Sequence, residues 1–355
     1  MQTELLTPTG EHIAQAAALI RDGQLVAFPT ETVYGLGANA LDADAVRAIF
    51  AAKGRPADNP LIMHICDPAQ LDGLVTVPGR AQSLMDAFWP GPLTILMPRT
   101  DRVPDVVTAG LSTVAVRYPS HPVARALLAV SRVPVAAPSA NRSGRPSPTT
   151  AAHVLEDMNG RIPMILDGGP CEVGLESTVL DLSGDVPCIL RPGGVTKGML
   201  EELLGPVEVA PSVLKPLAEG EVARSPGMRY RHYAPKGSIT LVSGAEEDVL
   251  RAMRRLWQNA SRGGQRACVL CFREHTDALR DCRPHDLGSM RDPSETAERL
   301  FDTLRRLDAE GMDIIYSEVL PAEGIGLAVM NRLGRAASFR TVRAADVLSD
   351  NSGSV

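Results

Sequence analysis

Aromatic side chains are scarce, at 4% of the 355 residues. That leaves too few rings for a stacking platform of the kind that holds single-stranded nucleic acid. An excess of positive charge is missing as well. Lys and Arg number 36 against 42 Asp and Glu, a formal charge of -6. A protein that neutralises a nucleic-acid backbone shows the opposite balance, so stable RNA binding is not expected. No apolar run is long enough to span a bilayer. The N-terminus, "MQTELLTPTG", lacks the charged-then-apolar pattern of a secretory signal. These absences point to a cytoplasmic protein. The six cysteines are scattered. Cys268 and Cys271 form a CxxC, but no second CxxC or HxxxH completes a tetrahedral zinc site. "RACVLCF" reads instead as a buried strand with core thiols. A Walker A loop is absent from the whole chain.

What is present is enough apolar material for a sizeable core, 44% of residues, in a chain long enough for two domains. The first two hundred residues alternate strand-like and helix-like segments. "QLVAF", "LIMHI", "LTILMP", "VAVRYP", "VPVAAP", "MILDGG", "STVLDL" and "CILRPG" read as strands bounded by Gly, Pro and Ser. Val46, Ile49 and Phe50 lie at helical spacing, with Gly54 as the cap. The expectation is a twisted mixed α/β sheet with helices over residues 1–208. A Pro-, Gly- and charge-rich linker is expected over 209–237, and a smaller Rossmann-like parallel α/β domain over 238–345. Residues 346–355 read as a flexible tail.

Polar residues cluster at the ends of these strands. "FPTETVYGLGANA" offers Thr30, Glu31, Thr32 and Tyr34. Its Gly35, Gly37 and Ala40 match the dinucleotide pattern only loosely, since they open no helix. In "KGRP", Lys53 sits in the last turn of a helix, where the macrodipole favours a cation by about 0.3–1 kcal/mol. With Arg55 it also suits a phosphate clamp, a point charge beside a planar fork. "VPVAAPSANRSGRPSPTTAA" adds Ser139, Asn141, Arg142 and Arg145, a loop of hydroxyls, an amide and guanidiniums. Thr149 or Thr150 can cap the helix that follows. Arg117 lies in an otherwise apolar strand and, if buried, needs a carboxylate or a ligand anion. His64 alternates with apolar neighbours, as a satisfied core histidine does.

Taken in order, "PTETVYGLG", "KGRP..NPL", "WPGPLT", "PSAN.SG.PSPT", "GLESTV", "LRPGG", "SPGMRYRHYAP" and "GLAVMNRLGRAA" resemble the YrdC-like threonylcarbamoyl-AMP synthase family in its long two-domain form. The resemblance covers nearly the whole chain, and no motif position departs from it. It implies a catalytic domain over 1–208, with the 209–237 linker as a lid over the site. It also implies an ATP-dependent reaction of L-threonine and bicarbonate. The product would pass to a separate transferase that modifies tRNA.

Residue by residue, the resemblance implies that Lys53, Arg55, Ser139 and Asn141 form a central catalytic tetrad that also contacts ATP. Asn59, Thr113, Ser147, Arg191 and Tyr233 would be further ATP contacts. Thr32, His64, Arg117, Ala137 through its backbone, and Ser177 would contact threonine. No protein metal site is expected. Magnesium would arrive bound to ATP, because it keeps waters and prefers phosphate oxygens. Two rivals are disfavoured. A hydrogenase-maturation-type carbamoyl adenylating enzyme would carry zinc-finger and acylphosphatase-like segments. A double-stranded RNA-binding factor would carry a basic charge balance.

Overall fold

A computed structural model describes residues 2–216 and 233–349. The described residues form two compact units. The first takes in 2–143 and 147–213, the second 144–146, 214–216 and 233–349.

The strands of the first unit are β1 (Glu4–Leu6), β2 (Val26–Phe28), β3 (Gly35–Asn39), β4 (Ile62–His64), β5 (Leu93–Pro98), β6 (Thr113–Arg117), β7 (Val135–Ala136), β8 (Met164–Leu166), β9 (Thr178–Asp181), β10 (Cys188–Arg191) and β11 (Glu208–Val209). They form one sheet in the order β1-β8-β2-β3-β7-β4-β6-β5-β9-β10-β11. The pairing is mixed. For example, β4 runs parallel to β6, while β6 runs antiparallel to β5.

Both faces of this sheet are covered. Val26 and Phe28 pack with Ala16, Ile20, Val123 and Leu127 from the helices Gly10–Arg21 and Pro122–Ser131. Ala27, one residue out of phase, joins Val46, Ile49 and Phe50 from the helix Ala43–Lys53 on the other side. That alternation is the period-two signature of a strand buried on both faces.

The loose dinucleotide match lies in β3, not in a phosphate loop. A Cβ on Gly37 would come within 2.7 Å of the Phe28 ring and 2.8 Å of Val135, so this glycine serves close strand packing. The first unit also runs beyond residue 208. Val209 pairs with Ile189 in β11, and Pro211–Val213 forms a 3₁₀ turn with Ser212 and Val213 buried.

The second unit contains β12 (Ser238–Ser243), β13 (Ala267–Cys271), β14 (Pro284–Asp286), β15 (Ile314–Ser317) and β16 (Thr341–Arg343), all parallel, in the order β14-β13-β15-β12-β16. The helices Glu246–Arg262, Pro293–Ala309 and Gly324–Ala336 alternate with them, as a Rossmann-like rhythm requires. β13 is buried throughout. Burial pushes the thiols of Cys268 and Cys271 up to about 12. Among the described residues no group of His, Cys, Asp and Glu could hold a metal ion. Of the expected tail, residues 346–349 belong to the helix Ala344–Ser349, and 350–355 lie outside the described residues. No helix of the described residues is long and apolar enough to cross a membrane.

Candidate active site

The first unit brings two polar groups of residues together at strand ends. The first begins at the C-terminus of the helix Ala43–Lys53. Asp42 caps its start through hydrogen bonds from Asp44 and Ala45. Gly54 ends it with φ at 61°, the left-handed turn glycine tolerates. That turn directs buried Lys53 at the loop following β7. Its Nζ donates to Ser139 O, to Asn141 O at 2.6 Å and to Asn141 Oδ1 at 3.4 Å. Ser139 Oγ donates to Asn141 Oδ1 at 2.5 Å, and Ser143 N–H returns a bond to Lys53 O at 3.0 Å. Lysine, serine and asparagine thus form one stitched corner. Arg55 follows two residues later. Its Nη2 donates to Asn59 O at 3.3 Å, and its guanidinium lies 5.8 Å from the Phe50 ring centroid.

Asn59 is fully buried, and neither atom of its amide has a hydrogen-bond partner among the described residues. Leaving such a group unmatched costs about 1–3 kcal/mol, which a polar ligand would recover. Thr113 opens β6 at the same end of the sheet, since Asn59–Leu61 lead into β4 and Ile62 pairs with Ala115.

The second group lies at the other end of β4 and β6. His64 and Arg117 are paired in register, and Thr94 of β5 sits opposite Arg117. Arg117 and Glu31 are both buried and form an ion pair at 2.7 Å. Arg117 Nη1 donates to Thr32 Oγ1 at 2.8 Å, and its Nε to Gly91 O at 3.3 Å. Glu31 Oε2 also accepts the Ser120 N–H at 3.2 Å. Next to this, Arg191 donates from Nε to Ser177 O and from Nη2 to Ser177 Oγ, each at 3.1 Å. Ser177 Oγ also shares a 2.7 Å bond with Thr94 Oγ1.

His64 sits within this positive field. Burial first, then the Arg117 charge, push its imidazole down to about 3, with Arg191 adding to the effect. It is therefore neutral at physiological pH. Its Nδ1 lies 3.2 Å from Ile62 O, which favours the tautomer protonated there and leaves Nε2 as the acceptor. Ala137 uses its N–H on Ile62 O at 2.9 Å, so a backbone contact to a ligand falls to its carbonyl. Ser147 donates to Glu176 Oε1 at 2.5 Å. Cys171 is buried, which pushes its thiol up to about 12, so it is no nucleophile.

Most of the residues named from the sequence belong to these two groups. Tyr233 belongs to the second unit, where its ring packs 5.1 Å from Phe301 and lies under the Arg332 guanidinium. Of the proposed lid over 209–237, residues 217–232, including Tyr230, lie outside the described residues. Thr94 and Glu176 join the site without having been named from the sequence, and Glu31 was named only among the polar residues of "FPTETVYGLGANA". Each is a polar residue in or beside an apolar strand. That signal was already present at Arg117 and, read the same way, would have found them.

Buried arginines, hydroxyls and a neutral histidine at the ends of a mixed sheet, with no activated nucleophile among the described residues, suit an enzyme that holds anionic groups by position and charge. The comparisons make this specific. The Sua5/YciO/YrdC family model, described as "Telomere recombination", matches residues 18–193. The threonylcarbamoyl-AMP synthase C-terminal domain matches residues 195–338. The chain is 47% identical over 343 residues to the threonylcarbamoyl-AMP synthase of Bacillus subtilis, covering 96% of this chain and 97% of that one. It is 46% identical over 330 residues to that of Pyrococcus abyssi, covering 92% and 94%. A crystal structure of Pyrococcus abyssi Sua5 complexed with L-threonine superposes with a TM-score of 0.90 at 45% identity, covering 96% of this chain and 98% of that one. The chain belongs to the threonylcarbamoyl-AMP synthase family. Because the second model names that synthase's own C-terminal domain, the hydrogenase-maturation alternative falls away.

Proposed function

We infer that this chain makes threonylcarbamoyl-AMP from L-threonine, bicarbonate and ATP, as a nucleotidyltransferase. Threonine's amine adds to bicarbonate with loss of water to give an N-carboxylate. A carboxylate oxygen then attacks the α-phosphorus of ATP, the bond to the β-phosphate oxygen breaks, and pyrophosphate leaves. A separate transferase consumes the adenylate in tRNA modification, which places the work in the cytoplasm.

The observation that carries this reading is the pair of buried guanidiniums. Arg117 is held against Thr32 and Glu31, and Arg191 against Ser177. Arg117 retains N–H groups for a substrate carboxylate, and His64 Nε2 supplies a neutral acceptor beside it. The stitched Lys53–Ser139–Asn141 corner, with Arg55 beside it, supports ATP binding. So does the unmatched Asn59 amide at the far ends of β4 and β6. Positioning and charge neutralisation suffice for such a transfer. Cationic and neutral donors predominate here, while Glu31 and Glu176 are engaged by Arg117 and Ser147. That donor set suits magnesium arriving on the triphosphate, which supplies charge neutralisation at the phosphates.

The test is direct. Incubation with ATP, magnesium, bicarbonate and threonine should give the adenylate by mass, and leaving out threonine or bicarbonate should abolish it. Lys53→Ala and Arg55→Ala should each cut turnover severely. Adenylate formation without threonine, or none with the complete mixture, would overturn the reading.

A further inference from the structure

We propose that Thr94 is a positioning residue that sets the direction in which Ser177 donates its hydroxyl proton. The proposal rests on reading Ser177 as a contact to the threonine substrate. Ser177 Oγ carries one proton and two lone pairs. Arg191 Nη2 fills one lone pair at 3.1 Å, and the Thr94 hydroxyl lies 2.7 Å away. Two wirings follow. If Ser177 donates to Thr94, its proton is spent inside the protein. If Thr94 donates to Ser177, both lone pairs are filled and the serine proton is left to point at a ligand. Only the second lets Ser177 make a charge-assisted bond to a carboxylate, the stronger kind.

Thr94 is well placed to enforce this. It is fully buried, and Ser177 Oγ is the only partner of its hydroxyl among the described residues. It is also fixed on two sides, paired in register with Arg117 on β6 and with Val179 on β9. The same strand residue thus stands between the two arginine-bearing parts of the site.

Thr94→Val keeps the shape and removes the hydroxyl. It should raise the KM for threonine about five- to tenfold. The kcat and the KM for ATP should stay near wild type. Thr94→Ser keeps the hydroxyl and loses only a methyl, and should restore the threonine KM. In the double variant with Ser177→Ala, Thr94→Val should add nothing, because its effect runs through Ser177. An unchanged threonine KM in Thr94→Val would overturn the proposal. So would a rise in Thr94→Ser matching that in Thr94→Val, since packing would then be the cause. If Thr94→Val fails to fold, Thr94→Ala takes its place: a raised threonine KM there, with a wild-type one in Thr94→Ser, supports the proposal, and a wild-type KM in Thr94→Ala overturns it. Absence of threonine-dependent product from the wild-type protein would instead sink the functional reading, so the two failures are distinguishable.

Discussion

Asn59 and His64 are both buried polar groups. The Asn59 amide is buried without a partner among the described residues. Replacing it by Leu removes that cost, and so should leave stability toward urea unchanged or raised. The same change should weaken ATP binding at least tenfold, read by calorimetry, because a buried hydrogen bond to the ligand is worth about 1.5 kcal/mol. Lost stability together with retained ATP affinity would mean the amide serves the fold. For His64 the sign follows from its depression to about 3 in the folded state, against about 6.5 unfolded. Folding therefore expels a proton. Its full contribution is present above the unfolded value and is lost as pH falls from there toward 3, at about 1.4 kcal/mol per pH unit. His121, also lowered by burial, acts with the same sign, so the comparison must be with His64→Gln. That variant should lose less stability than wild type between pH 7 and pH 5, and equal losses would sink the idea. At this scale the sequence was partly legible. It showed that Arg117 needed a carboxylate or an anion, yet not which. Glu31 lies 86 positions away along the chain, and no local period links β6 to the turn after β2.

Elements hold these side chains through backbone packing that composition only hints at. Gly193, in "LRPGG", lies directly on the segment that presents Ser177. A Cβ there would come within 2.4 Å of Thr178 N and 2.5 Å of Glu176 O. Backbone atoms cannot swing aside as a long side chain can. Gly193→Ala should therefore displace Ser177 and Arg191 together, lowering turnover at saturating threonine and the unfolding midpoint in parallel. An active, fully stable variant would show that this approach is dispensable. By contrast Gly54→Ala has open space around it and meets only its left-handed φ. Helix boundaries were legible wherever capping chemistry was explicit. Gly54 ends the helix Ala43–Lys53, and Thr150 caps Ala151–Met158 through His153 N–H. Glycine hid β3, because "GLGAN" reads as a loop until Phe28 and Val135 are seen to crowd it. β1 went unnoticed for another reason. It is three residues long and takes its partner, β8, from 160 positions further along the chain, Glu4 pairing with Met164.

For the whole molecule, the second unit was the easier to read, because βα alternation fixes parallel neighbours by a local rule. The order of the first sheet could not be read that way. β7 is two residues long and sits between β3 and β4 through pairings distant in sequence. Hydrophobic pattern predicts a strand but not its partner. The two units carry separate thiol reporters: Cys171 in the first, and Cys268, Cys271 and Cys282 in the second, all buried. Burial holds these thiols above their usual range, so they react only when their own unit opens. A ligand that binds only the closed first unit stabilises it by mass action, about 2.7 kcal/mol at a hundredfold excess over its Kd. Magnesium-ATP with threonine should therefore move alkylation of Cys171 to higher urea, read by mass spectrometry of the peptides. The midpoints for Cys268 and Cys271 should stay where they are. Equal shifts for all the thiols would mean that the units open as one. A shift confined to Cys268 and Cys271 would place the substrates in the second unit and remove the site from the ends of β4 and β6.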